Sequence, residues 1–317
     1  MTTQNLRLGL MAMTVTVLSW AGMFPVGKIM LATLDPYAIT SIRYGCGATI
    51  LLVILWLVEG SAPFVALRRD PRRWALFFYG SMGFAGFSLF NFEGLRLTSP
   101  QQAAIIASMQ PLMIALTQWL LRGQRPARAT SICVVVAFAG CLVVVSKGDF
   151  GSLALAGGLG GDLLVLVAAV CWVVYTLAAA RFSDWSPLRF TALSCGLGTF
   201  SILFISAFAV LAGHAHVPTL PQLESQAWPM LFLILMTSVV AVLLWNVGVK
   251  HLGALNASLM GNFIPVVVFL IGIIMGQDIA RAEFIGAGMV LAALVANNLM
   301  ARRALQAAGI PSSESQS

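Results

Sequence analysis

The feature that most constrains this chain is a succession of apolar runs too long for a soluble fold. Divided at charged, proline- and glycine-bearing punctuation, the runs fall at about 8–29, 36–58, 74–95, 99–121, 129–146, 161–181, 188–211, 228–249, 253–275 and 283–300. A helix crosses the hydrocarbon core with about 20 apolar residues. The apolar residues run continuously, where a membrane β-barrel would alternate them. Of the 317 residues, 59% are hydrophobic and 9% are charged, against roughly 25% charged in an ordinary soluble domain. That leaves too little polar surface for a soluble protein and too much apolar surface for a disordered one. The expected fold class is therefore an all-α polytopic membrane protein with ten transmembrane helices. The first run is longer than the apolar core of a typical signal peptide and leads into further runs, so it reads as a retained span. The tail 304–317 loses its period and reads as disordered. Cys46, Cys133, Cys141, Cys171 and Cys195 sit inside apolar runs without CxxC spacing and read as small core residues.

The few charges carry orientation. With the N-terminus in the cytoplasm, 13 of the 18 basic residues fall on cytoplasmic loops, among them Arg68, Arg69, Arg72, Arg73, Arg122, Arg125, Arg128, Arg181 and Arg189. Only Lys28, Arg96, Lys147 and Arg281 fall outside. The positive-inside rule then places both termini in the cytoplasm. The net charge of +7 is dispersed over short loops, so no nucleic-acid partner is expected; the lipid bilayer is.

The chain also repeats itself. Residues 94–111, GLRLTSPQQAAIIASMQP, lie over residues 248–265, GVKHLGALNASLMGNFIP. Nearer the front of each half, Trp20 falls over Trp172 and Pro36 over Pro187. Two five-helix units are expected, 1–150 and 151–303, joined at Gly157-Gly158-Leu159-Gly160-Gly161. Five crossings make the second unit run in the opposite sense, and equivalent loops carry opposite charge bias. The loop with Arg68, Arg69, Arg72 and Arg73 answers to one with His214, His216 and Glu224. Inverted repeats give one protein two related conformations, each opening a shared midplane cavity to one side, which is the architecture of secondary transporters.

The residues that close each unit carry a resemblance. They are Gly94-Leu95-Arg96-Leu97-Thr98-Ser99-Pro100, Ala103-Ala104 and Pro111-Leu112 in the first, and Gly248-Val249-Lys250, Ala257-Ser258-Leu259 and Pro265 in the second. Over 8–300 the chain resembles EamA-type exporters of the drug/metabolite transporter superfamily. It departs where the family carries Gly-Glu after the fourth helix: here stand Gly123-Gln124 and Gln277-Asp278. The resemblance implies a multi-pass exporter of the bacterial cytoplasmic membrane, with a small-molecule metabolite as substrate.

Candidate transport residues are those that are polar or aromatic deep within a run. Each fourth helix has a proline beside polar residues: Ser108 and Gln110 beside Pro111, and Asn262 beside Pro265. Proline frees a backbone carbonyl and breaks the helix, as at transporter binding sites; the alternative is interhelical hydrogen bonding. Trp20, Trp172 and Tyr175 suit stacking on an aromatic or amphipathic substrate, or act as packing pillars. Asn91 and Asn246 fall in the third helix of each unit. Arg43, costly at about 2.5–3.5 kcal/mol to insert, fits a substrate carboxylate, a structural pair, or snorkelling towards Asp35. Glu93 fits a proton-coupling site or a pair with Arg96. Gly272 with Gly276, and Gly80, Gly83 and Gly86, fit close helix contacts.

No P-loop, HExxH or GxSxG occurs, and His214 and His216 lack further metal ligands. No catalytic residue, metal or cofactor is expected. The expected activity is secondary export of small metabolites, amino acids or amphipathic compounds foremost, by alternating access with possible proton coupling, in a monomer or homodimer. A channel or receptor, or an intramembrane enzyme, is the alternative.

Overall fold

The computed structural model describes residues 3–122, 128–149, 158–261 and 263–307. Among the described residues every regular element is helical. The first part of the chain forms α1 (Thr3–Met30), α2 (Pro36–Glu59), α3 (Ala62–Arg69), α4 (Arg73–Gly80), α5 (Phe87–Leu97), α6 (Pro100–Ala107), α7 (Gln110–Arg122) and α8 (Arg128–Ser146). The second forms α9 (Gly158–Ala178), α10 (Pro187–Leu211), α11 (Leu220–Ser225), α12 (Ala227–Phe232), α13 (Ala241–Leu252), α14 (Ala254–Gly261), α15 (Phe263–Ile274) and α16 (Arg281–Ala307). Among the described residues six continuous helical stretches are long and apolar enough to cross a membrane: 5–30, 36–59, 73–97, 159–182, 187–211 and 227–252. The chain is a multi-pass membrane protein.

Local chemistry sets the helix starts. Asp35 caps α2 through a 2.7 Å bond from the Ala38 amide, with Pro36 opening the helix. Ser186 and Pro187 open α10 in the same way, because proline needs no partner for its missing N–H in the first turn. Ser99 and Gln102 form a capping box on α6. The fourth run breaks at Ser108–Met109, between α6 and α7. Pro111 has no N–H to offer Ala107, so the carbonyl at the end of α6 is released.

Two features are absent from the hydrophobic pattern. Ser81–Gly86, between α4 and α5, and Leu233–Val240, between α12 and α13, are wide π turns. In a π turn hydrogen bonds skip a further residue and a bulge forms, often at functional sites. Both lie inside long continuous helices, and the second supports the site described below.

The packing is reciprocal. α5 lies along α9, α1 along α13, α2 along α10 and α8 along α16. Small residues let these backbones meet. A Cβ on Gly94 would stand 2.6 Å from the Gly161 carbonyl oxygen. This corrects the expected join: Gly158–Gly161 belong to α9 because Gly161 must pack against Gly94 and Leu97. Gly276 is also corrected. It ends a helix at φ +70°, with open space where a Cβ would be. Residues 304–307 continue α16 instead of starting a tail, as a run of Ala, Leu and Gln favours; 308–317 lie outside the described residues. Cys46 is exposed, unlike the four buried cysteines, because it lies on an outward face of α2.

Candidate functional site

The first spanning helix of each half brings a tryptophan to the middle of the bundle. Trp20 of α1 and Trp172 of α9 meet edge to face, with centroids 5.1 Å apart at 88°. Trp245 of α13 closes the group at 5.2 Å from Trp20 and 5.9 Å from Trp172. Phe87 packs 5.2 Å from Trp172. Together with Met23, Phe24, Ser108 and Gln110, these side chains enclose a cavity of about 30 Å³, the volume of roughly one water molecule in the liquid. Among the described residues no charged one lines it.

The polar economy of this cavity is one-sided. The Trp20 indole donates to the Thr237 carbonyl at 3.1 Å. Among the described residues, the buried indole N–H groups of Trp172 and Trp245 reach no acceptor. An unmet buried donor costs about 1–3 kcal/mol, so an acceptor placed in this cavity would be bound favourably. The Ser108 hydroxyl is spent on the Ile105 carbonyl of its own helix, at 2.7 Å.

Tyr175 links the aromatic group to a wider space. It lies 5.1 Å from Trp172 and stacks on Phe190 at 5.3 Å. Its hydroxyl accepts from Asn246 Nδ2 at 3.0 Å, and the same amide donates to Thr191 Oγ1 at 2.9 Å. Asn246 is in turn a wall of a cavity of about 740 Å³. That cavity opens at the end of the bundle bearing Arg181 and Lys250, and Thr117, Thr176 and Phe190 line it too.

The opposite end is sewn shut. Lys28 Nζ donates to the carbonyls of Leu95 (2.7 Å), Arg96 (3.1 Å) and Thr98 (2.7 Å) at the α5–α6 hairpin. Thr98 Oγ1 bonds Asp162 of α9 at 2.7 Å, and Gln101 donates to Gln277 at 2.6 Å. A recess of about 680 Å³ lies here, but only helix ends and hairpin residues line it.

Arg43 is buried at 1% exposure. It does not snorkel towards Asp35, which instead caps α2 and accepts from the His216 amide at 2.9 Å. Its guanidinium bonds Ser238 Oγ, the Tyr44 hydroxyl (3.1 Å) and Met23 Sδ (3.3 Å). It also stands 4.7 Å from the Tyr44 ring and 5.7 Å from the Phe92 ring. Ser238 comes from the second π turn and donates to the Leu233 carbonyl at 3.0 Å, so the bulge presents its lone pairs to Arg43. Glu93 pairs with Arg96 at 3.4 Å in a half-exposed position away from both cavities.

Of the other sequence-derived residues, Trp20, Ser108, Gln110 and Trp172 converge on the small cavity, and Tyr175 and Asn246 bridge to the large one. Asn91 is buried, its amide atoms find no partner among the described residues, and it lines neither cavity. Asn262 lies outside the described residues. Sequence reasoning missed Trp245 and Met23. Trp245 adjoins Asn246, and neighbours on a helix point about 100° apart, so choosing one face hid the other. Asp162, buried at 7% exposure, was hidden beside the glycine-rich join.

On the surface next to the open cavity, Arg72 bonds Asp70 (3.0 Å) and Asp184 (2.8 Å). These hydrogen bonds hold both carboxyls below the ordinary aspartate range and raise the guanidinium above its own.

The EamA-like transporter family model matches residues 7–146 and again 159–299. The uncharacterized transporter YrdR of Bacillus subtilis is 32% identical, covering 94% of each chain. The uncharacterized transporter YyaM of the same organism is 29% identical over 84% of this chain and 86% of its own. The aromatic amino acid exporter YddG of Ancylobacter novellus is 24% identical over 84% and 89%. A solved crystal structure superposes with a TM-score of 0.67 at 22% identity, covering 96% of this chain and 99% of its own, which speaks to the fold.

Proposed function

The chain belongs to the EamA-like transporter family, and from that premise we propose that it is a secondary exporter of small organic metabolites working by alternating access. The observation that carries this reading is the site itself: a closed aromatic cavity at mid-bundle, one layer of side chains from a large cavity that opens at a single end. Ten crossings form two inverted units, 1–150 and 151–303. The repeated match of the family model and the reciprocal packing support this division. Both termini lie in the cytoplasm of a bacterium, by the distribution of basic residues. The 740 Å³ cavity then faces the cytoplasm, and the arrangement is inward-open.

Trp20, Trp172 and Trp245 hold the apolar part of the substrate by stacking, and Tyr175 backs Trp172 from behind. Gln110 and Asn246, with Asn262, supply its polar contacts. The aromatic lining and the exporter among the relatives favour aromatic amino acids and related amphipathic compounds. Rocking of one unit against the other would release the Lys28 and Thr98 bonds and close the space above Asn246.

Counterflow in proteoliposomes tests this. Phenylalanine or tryptophan on the trans side accelerates uptake of the labelled compound, and Trp172→Ala or Gln110→Ala lowers that exchange at least tenfold. Flux that rises linearly with gradient and ignores trans substrate is the behaviour of a channel and contradicts the reading.

A further inference from the structure

Arg43 raises the question of what neutralises it. A guanidinium stays charged at any working pH, and one held within a membrane span pairs with an acid, backbone carbonyls or a ligand. Among the described residues no carboxylate pairs with Arg43. Its acceptors are two hydroxyls and a thioether. A thioether sulfur is a weak acceptor and its side chain is soft and easily moved. That thioether belongs to Met23, which also lines the central cavity. The flexible Met23 side chain therefore stands between the guanidinium and the space where substrate would sit. In the same wall, among the described residues, two indole N–H groups lack acceptors and no acid is present.

We propose that Arg43 is the anion anchor of the central site, so that the chain selects organic carboxylates with an apolar body and rejects the corresponding amines. The carboxylate displaces the Met23 sulfur from Nη1 and takes the charge-assisted bonds that guanidinium geometry favours. The Trp172 and Trp245 indoles donate to its remaining lone pairs, while the aromatic walls cover the body. A cationic amine finds no counter-charge here and meets the field of a buried arginine, so the anchor sets specificity as well as affinity. The second half has Ser194 where Arg43 would repeat, so a single charged anchor serves the shared cavity.

This inference rests on the reading of the central cavity as the binding site, and its test does not need transport. Purified protein is titrated with 3-phenylpropionate, phenylalanine and phenethylamine, with binding read as thermal stabilisation and tryptophan fluorescence. The two carboxylates are expected to bind at least tenfold more tightly than the amine. Arg43→Gln is expected to abolish that preference and Arg43→Lys to retain part of it. Ser238→Ala removes a hydrogen bond but not the charge. It is expected to keep the preference, which separates anchoring from a packing role and covers the case in which Arg43→Gln fails to fold. Equal binding of amine and carboxylates by the unmodified protein, a preference that survives Arg43→Gln, or no stabilisation by either carboxylate overturns the proposal. Carboxylate binding without counterflow would instead leave the anchor standing and contradict the transporter reading.

Discussion

The α5–α6 and α13–α14 hairpins align in sequence, yet the structure treats them oppositely. At the α5–α6 hairpin a lysine from α1 caps three carbonyls, and an aspartate from α9 takes the Thr98 hydroxyl. At the α13–α14 hairpin Lys250 makes one 3.2 Å bond to the Trp185 carbonyl, and the cavity runs past it to Asn246. The position equivalent to Asp162 is Leu10, and that equivalent to Thr98 is Leu252. One end is thus closed by polar bonds, while the other has apolar residues in their place. Such unequal latches leave the two ends different: the 740 Å³ cavity reaches inward to Asn246, whereas the 680 Å³ recess at the other end is lined by helix ends and hairpin residues.

The comparison can be broken at its glycines. A Cβ on Gly94 would meet the Gly161 backbone at 2.6 Å, whereas one on Gly248 would meet chiefly the flexible side chain of Met13. Backbone cannot yield and a methionine can. Gly94→Ala is therefore expected to cost about 1–3 kcal/mol as an overpacking mutation and Gly248→Ala markedly less, measured by unfolding in detergent. Equal costs would show that the two contacts are not built differently.

The latches come next. Lys28→Met removes a charged donor from three carbonyls and is expected to cost about 1.5–3 kcal/mol. Lys250→Met, with one longer bond of 3.2 Å to lose, should cost less than Lys28→Met. Thermal unfolding of the two variants side by side reads the difference, and a reversed order contradicts the assignment of the tighter end.

The smallest effect concerns pH. The Asp70 and Asp184 carboxyls are held below their ordinary range by Arg72. A depressed acid contributes stability that is fully present above its unfolded value, near 3.9, and is lost as pH falls through the lower folded value. Stability should therefore be flat with respect to this cluster from pH 5 to 8 and decline below about pH 4. Arg72→Gln should flatten that decline without altering stability's slope near neutrality. An unchanged acid limb would remove the cluster from the account.

Much of this was legible in the sequence for physical reasons. Apolar run length shows in composition, and Asp35-Pro36, Ser186-Pro187 and Ser99-Pro100 mark helix starts because caps are local chemistry. The convergence of Trp20, Trp172, Ser108 and Gln110 was readable because the repeat aligned them and the prolines marked the break. The π turns were not, since a bulge of one residue leaves the hydrophobic pattern intact. Trp245, Met23 and Asp162 escaped because their roles arise from contacts between distant helices. Arg43's partners escaped for the same reason: Ser238 lies 195 residues away.

The most direct test of the central claim is accessibility. Single cysteines placed at Asn246 and at Gln101, in a background lacking the native cysteines, are labelled in oriented vesicles with a membrane-impermeant maleimide. The account predicts labelling at Asn246 from the cytoplasmic face at least ten times faster than at Gln101 from the outer face, with the ratio falling in Lys28→Met. Equal labelling from the two faces, or faster labelling at Gln101, would contradict an inward-open molecule closed by its α5–α6 hairpin.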